Sequence, residues 1–580
     1  MMNATLQYIF YLAILVLAAI PLGSYMAKIM NGEKVFLSPV LTPCENLIYR
    51  ILRVDKNEQM TWKKYAASAL AFSGFSLLIL FLILKFQNIL PFNPEHVPGN
   101  SWHLAFNTAV SFVTNTNWQS YSAEGVLSYF SQFMGLTVQN FVTPAVGGAV
   151  MFALIRGFTK VKETGLGSFW ADVTRYTLYI LIPICLVASL VLVSQGVVQS
   201  FDEYQTVSLV EPITLEDGTE VTEQVLPLGP AASQIAIKQL GTNGGGFQGT
   251  NSAHPFENPT PFSNLIEMIF LLVLPVAFCF TFGKCVKDKR QGYAIFLAMF
   301  IMLVISLAVV AVSEQAATPQ MAQGGTVDIT ASEGYSGGNM EGKETRFGIP
   351  TSVTWAAFTT AASNGSVNSM HDSYTPIGGM IPMLLMMLGE VVFGGVGCGL
   401  YGMIGFVIMT VFIAGLMVGR TPEYLGKKIE PYEMKMAVLV CLATPIAVLI
   451  GSGVLTLLPS SVASLNNPGA HGLSEILYAF ASAGGNNGSA FAGLNCNTPS
   501  FNVALGLAML LVRFLPMVAT LAIAGSLARK KKVAVSAGTL STCNAMFVFL
   551  LIMIVLLIGA LSFFPALALG PIAEFFQMLA

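Results

Sequence analysis

Ten stretches of the chain are continuously apolar: 7–27, 67–88, 132–155, 176–198, 264–283, 292–313, 377–418, 436–458, 501–527 and 545–565. Each is about as long as the roughly 20 helical residues needed to cross a bilayer core of about 30 Å. None alternates at every second position as a barrel strand must, so the pattern predicts helices. The seventh run is long enough to be interrupted. The first lacks the positive flank of a secretory signal, because no Lys or Arg precedes Lys28, and it is read as a retained anchor.

Composition agrees with lipid as the solvent. The 580 residues are 54% hydrophobic and only 10% charged, where a soluble domain carries roughly a quarter. The net charge of −2 conceals an asymmetry, since 23 of the 28 Lys and Arg fall in 28–64, 156–175, 284–290, 420–435 and 529–532. These are alternate connections of ten helices. The positive-inside rule puts them in the cytoplasm and both termini outside.

The remaining long connections then face outward, and four of them share a pattern. Ser101–Gln119, Pro230–Phe247, Pro350–Asn368 and His471–Phe491 each run through a short, mostly apolar, helix-capable stretch into a block of Asn, Gly, Ser and Thr. Aligned on the block, the copies read Thr114-Asn115-Thr116-Asn117, Thr242-Asn243-Gly244-Gly245, Ser363-Asn364-Gly365-Ser366 and Asn486-Asn487-Gly488-Ser489. Their starts are 128, 121 and 123 residues apart, a repeat of two membrane helices per copy. Asn is second in all four and Gly third in three, with Thr116 in the first copy as the exception.

Dehydrating a cation accounts for these residue types. An ion entering the membrane must exchange water for protein oxygens, most simply a ring of backbone carbonyls. Inward carbonyls require unusual backbone, which Gly adopts freely and Asn tolerates. Irregular backbone persists at membrane depth only where it lines a cavity or is buried in protein. A short helix ending at the block would point its negative dipole end toward the ion. The expected architecture is an all-α polytopic membrane protein of ten transmembrane helices. Four tandem helix–pore-loop–helix units sit in pseudo-fourfold arrangement, with one leading and one closing helix. The expected divisions are a leading helix (1–30), a cytoplasmic connection (31–64), pore units 65–160, 161–290, 291–430 and 431–532, and a closing helix (533–580).

The blocks TNTNWQSY (Thr114–Tyr121), GTNGGGF (Gly241–Phe247), NSAHPFENPTPFSN (Asn251–Asn264), GEVVFGGVGCGLYGM (Gly389–Met403) and AGGNNGSAFAGL (Ala483–Leu494) resemble the potassium-binding A subunit of bacterial Kdp potassium-transporting ATPases. The likeness covers essentially the whole chain. It implies K+ as the transported ion, taken up from outside at the sixteen aligned block residues, with Gln119 tuning the site. It also implies a bacterial inner-membrane complex with KdpB-like, KdpC-like and KdpF-like subunits, in which the B subunit hydrolyses ATP. The superfamily includes the Trk, Ktr and HKT pores, so a self-sufficient passive channel or symporter is the alternative. A membrane scaffold with blocked remnant loops is a third reading.

Other features refine this picture. Gly394, Gly395, Gly397 and Gly399 crowd the seventh run, marking either close helix packing or a broken inner helix below the third loop. Glu390 and Arg513 are ionisable groups in apolar helices, expected to pair structurally or to act on the pore, Arg513 by opposing inward leak. The five histidines are read as polar loop or helix-start residues in outer segments, the stretches 199–229 and 314–349 as exposed decoration between the units, and the eight cysteines as small core residues. The sequence has no GxxxxGK[ST] loop and no DKTG segment, hence no recognisable nucleotide site. Active transport would therefore draw its energy from a partner chain.

Overall fold

A computed structural model describes residues 2–215, 217–323, 327–389, 391–417, 419–534 and 539–579. Among them, ten helices are long and apolar enough to cross a membrane, and each coincides with one of the apolar runs. In chain order the elements are α1 (Met2–Met30), α2 (Trp62–Lys85), α3 (Trp102–Val113), α4 (Val138–Thr159), α5 (Phe169–Ser194), α6 (Ala231–Leu240), α7 (Pro261–Cys285) and α8 (Lys289–Ala316). There follow α9 (Gly348–Ala361), α10 (Pro376–Met387), α11 (Cys398–Met417), α12 (Pro431–Thr456), α13 (Gly469–Gly484), α14 (Pro499–Arg529) and α15 (Ala545–Leu567). Helices α3, α6, α9 and α13 are the short ones that precede the polar blocks.

Burial separates two kinds of apolar helix. Leu17, Leu186, Leu190, Phe549 and Leu561 on α1, α5 and α15 are exposed, as side chains facing lipid would be. The α4 stretch from Thr143 to Ile155 is buried without interruption. Where α4 crosses α14 the contact is made by small residues, and a Cβ on Gly157 would lie 2.7 Å from the Ala524 Cα. Lipid offers helices no hydrophobic gain from pairing, so close backbone approach supplies the packing energy instead. At the basic end of α4, Arg156 grips Asp172 with both terminal nitrogens (2.5 and 2.7 Å), and Tyr65 donates to the same carboxylate at 2.9 Å. A buried charge there is paired and hydrogen-bonded, as the low dielectric demands.

The seventh apolar run is interrupted. α10 stops at Met387, and α11 starts at Cys398 after an irregular segment. Gly389, Phe393, Gly394 and Gly397 in that segment have φ of 81°, 66°, 61° and 78°. A helix cannot contain such residues, so the run divides there. Gly395 lies in the irregular segment, and its carbonyl accepts from the Gly399 amide at 3.2 Å in the first turn of α11. The segment packs backbone to backbone on α4: a Cβ on Gly397 would be 2.3 Å from the Gly147 carbonyl oxygen, and one on Gly147 2.3 Å from that of Val396. Glu390 lies outside the described residues.

The stretches 199–229 and 314–349 are more ordered than loop decoration. Gln205–Thr214 and Glu220–Leu226 form an exposed antiparallel hairpin, a small β element attached to the helical body. Within 314–349, Glu314 and Lys343 form a fully buried ion pair at 2.7 Å. Ionisable residues in a polar connection gave no sign of this pairing, which only the tertiary fold creates.

Candidate functional site

Each of the four short helices ends in a polar loop, and the loops share one backbone conformation. In the second, third and fourth, φ is positive at Thr242 (52°) and Gly244 (93°), Ser363 (50°) and Gly365 (89°), and Asn486 (44°) and Gly488 (107°). In the first loop it is positive at Asn115 (65°) and Asn117 (54°). The first block is therefore set one residue too early by alignment on its first Asn. Backbone hydrogen bonds give the same register: the amides of Thr116, Asn243, Asn364 and Asn487 reach back to the carbonyls of Ser111, Lys238, Thr359 and Ser482 at 2.8–2.9 Å. Thr114 is the C-cap of α3, matching Gly241, Ala362 and Gly485 on the other three helices. Thr116 thus stands where the others have Asn, and Asn117 where they have Gly. Asn fills the glycine position because it tolerates the left-handed region better than other side-chain-bearing residues.

The loops close into a ring in chain order. Asn115 donates its amide to the Thr242 carbonyl at 2.9 Å, joining the first loop to the second. A Cβ on Gly244 would lie 1.7 Å from the Asn364 carbonyl oxygen, one on Gly365 2.2 Å from that of Asn487, and one on Gly488 2.1 Å from that of Thr116. The second loop therefore touches the third, the third the fourth, and the fourth the first. Two side-chain amides stitch equivalent seams: Asn364 donates to the Lys238 carbonyl at 3.0 Å and Asn487 to the Thr359 carbonyl at 2.8 Å. The Asn486 amide completes the circuit on the Thr116 hydroxyl at 2.9 Å. Gln119 straps the first two loops, accepting from the Gly246 amide at 2.9 Å and donating to the Gly246 carbonyl at 3.1 Å. Gly245, Ser366 and Ser489 follow the glycine of their loops and are buried; Trp118 takes that position in the first.

Sequence reasoning missed the polar scaffold behind the second loop. Lys238 of α6 is fully buried, paired with Glu257 and donating to Asn251 Oδ1 at 2.7 Å. Asn251 in turn donates to the Gly244 carbonyl at 2.7 Å, and the Gln248 amide donates to Glu257 at 2.6 Å. Alongside, Gln239 donates to Glu267, Ser252 and Ser366 at 2.9–3.1 Å. The available signal was the one lysine in any of the four short helical stretches.

The broken segment between α10 and α11 joins this site directly. The Val396 amide donates to the Thr242 hydroxyl at 3.0 Å, and the Gly394 amide to the Ala361 carbonyl at 2.8 Å. A small cavity borders the fourth loop, lined by Gly389, Cys398, Gly484, Asn486 and Arg513. Arg513 contacts the Cys398 sulfur across it.

The ring thus comprises four short helices and four loops with left-handed residues, each on a different part of one chain. The model of the family described as "Potassium-transporting ATPase A subunit" matches residues 9–576. This chain belongs to that family. Relatives named potassium-transporting ATPase potassium-binding subunit are 73% identical in Clostridium botulinum, 66% in Clostridium perfringens and 61% in Desulfovibrio desulfuricans, in each case over the whole of both chains. A solved structure of the potassium transporter TrkH from Vibrio parahaemolyticus overlaps 87% of this chain and 97% of its own at a TM-score of 0.49 and 12% identity.

Proposed function

We propose that this chain is the potassium-binding, non-catalytic subunit of an ATP-driven uptake complex in a bacterial inner membrane, with both termini outside. K+ enters from outside, exchanges its hydration shell for the oxygens of the four loops, and passes to a partner P-type ATPase subunit that hydrolyses ATP. KdpC-like and KdpF-like chains complete the assembly. The observation that carries this reading is the closed ring, in which every loop holds two left-handed residues separated by one. In this reading the alternation lets loop carbonyls face a common side, as a dehydrating site for a monovalent cation requires. The four helix C-termini ending at the ring add favourable negative potential. The residues assigned to the ion are Asn115, Thr116 and Asn117, Thr242, Asn243 and Gly244, Ser363, Asn364 and Gly365, and Asn486, Asn487 and Gly488. Thr114, Gly245, Ser366, Ser489 and Gln119 support them.

A passive channel is disfavoured by the interrupted helix. Its irregular segment is hydrogen-bonded to the second loop and to the end of α9, and in this reading it obstructs a straight route past the ring. The test is K+ binding and flux with the purified chain, alone and with its co-purifying partners. Saturable K+ binding, ATP-dependent uptake only in the complex, and negligible flux through the isolated chain are expected. Steady ohmic K+ current from the chain alone would refute the reading.

Arg513 lines the cavity bordered by Asn486 of the fourth loop, and in this reading its positive charge opposes inward leak. At a separation of about 4 Å, a unit charge changes a second charge's energy by about 1 kcal/mol in bulk water and about 4 kcal/mol at an effective dielectric near 20. Arg513→Gln is accordingly expected to raise Rb+ leak through the reconstituted complex by about tenfold, measured as tracer entry without ATP. Unchanged leak would remove Arg513 from the gating role.

A further inference from the structure

A second cluster of ligand-bearing side chains lies apart from the ring, beyond the third and fourth loops. Asp372 sits in the 3-10 turn His371–Ser373 that follows the third loop. His471 and Glu475 are one turn apart on α13, and so share a face of that helix. Each of these residues offers a ligand atom, and the three atoms lie within 4.8 Å of one another. His471 Nε2 is 3.0 Å from Asp372 Oδ1, and its Nδ1 is 2.8 Å from Glu574 Oε1 on the terminal helix Ala573–Leu579.

One buried oxygen of the cluster points to a ligand. Glu475 is fully buried, and while its Oε1 accepts from Asn467 at 2.6 Å, its Oε2 has no hydrogen-bond partner. A buried carboxylate oxygen left unpaired is costly, and a cation removes that cost. The carboxylates also converge on one glycine. The Gly493 amide donates to Asp372 Oδ2 at 2.9 Å, and a Cβ there would stand 2.4 Å from Glu475 Oε1 and 2.6 Å from Asp372 Oδ2. The backbone thus presses two acidic groups together beside a single imidazole.

We propose that Asp372, His471 and Glu475 bind one divalent cation of the zinc class. One imidazole nitrogen with two carboxylate oxygens is a donor set that suits Zn2+ better than an oxygen-only ion such as Ca2+. Glu574 is the positioning residue: holding Nδ1–H fixes the tautomer that presents Nε2 to the metal, the usual partnership of a carboxylate with a metal-bound histidine. Tetrahedral ligands about 2 Å from zinc are about 3.3 Å apart, so rotamer adjustments of about an ångström close the site. The ion would fasten the turn after the third loop to the first turns of α13, with the terminal helix held through Glu574.

The test uses the full chain with its co-purifying subunits, stripped by chelator, equilibrated with ZnCl2, desalted and assayed for zinc by mass spectrometry. One more equivalent of zinc is expected in the wild type than in Glu475→Gln or His471→Asn, and added zinc should raise the unfolding temperature of the wild type alone. Glu574→Gln leaves all three ligands in place and is expected to weaken zinc about 10–100-fold. It keeps the comparison decisive if the ligand variants fail to fold. Zinc retention equal in the wild type and Glu574→Gln, or no zinc retained by the wild type, overturns the proposal.

Discussion

Gly244→Ala is expected to abolish measurable K+ binding. The new Cβ would stand 1.7 Å from the Asn364 carbonyl oxygen, a backbone atom that cannot turn aside as a side chain would. The residue's φ of 93° adds the strain of a left-handed conformation, on the order of 1–3 kcal/mol for a residue with a side chain. Either the second loop leaves the third or the shared carbonyl moves, and both break the ring. Strain alone corresponds to as much as about a hundredfold in affinity, and the collision adds to it. Calorimetric titration with K+ measures the loss, while Asn117→Gly serves as the contrast. Glycine fits the φ of 54° at that position without strain, so that variant is expected to bind within about tenfold of the wild type. Wild-type affinity in Gly244→Ala would show that the ring is not where the ion binds.

Lys238→Met is expected to be strongly destabilising although it lies outside the loops. It leaves Glu257 charged and fully buried with no counter-ion, which costs about 3–5 kcal/mol. It also removes the ammonium that orients Asn251, whose amide holds the Gly244 carbonyl. Replacing both members by apolar groups is often close to neutral, so Lys238→Met/Glu257→Leu should recover most of the lost stability. Thermal unfolding of the purified complex separates the two outcomes. A single variant as stable as the wild type would mean that the pair carries no structural weight.

The membrane architecture was legible because lipid leaves a helix little freedom: about 20 apolar residues in a row have one common solution. The break in the seventh run was legible for a related reason, since glycine at 394, 395, 397 and 399 has few uses in a helix interior. The ring was legible as a fourfold repeat, but its register was not. Two asparagines flank Thr116, and sequence matching favours the first as the partner of the asparagines in the other copies. The backbone chooses otherwise, because the left-handed region accepts Asn and Gly alike and Asn117 serves in the glycine position. The partners of two histidines were out of reach for a different reason. His371 is buried and hydrogen-bonded to the Tyr478 hydroxyl at 2.8 Å, and His471 lies between two carboxylates. Each of those partners is about a hundred residues away in the chain, beyond the reach of local pattern.

Lys238 has a consequence that depends on how the ring is encoded. Were the ring assembled from four identical chains, one codon would place an ammonium behind every loop, and four positive charges would surround any cation held there. Concatenating the copies in one polypeptide releases each quarter to drift separately. A lysine can then brace a single wall, an asparagine can replace glycine in another, and one inner helix can be severed while its counterparts stay whole. Such a ring can present one wall unlike the other three, which a rotationally symmetric assembly of identical subunits cannot.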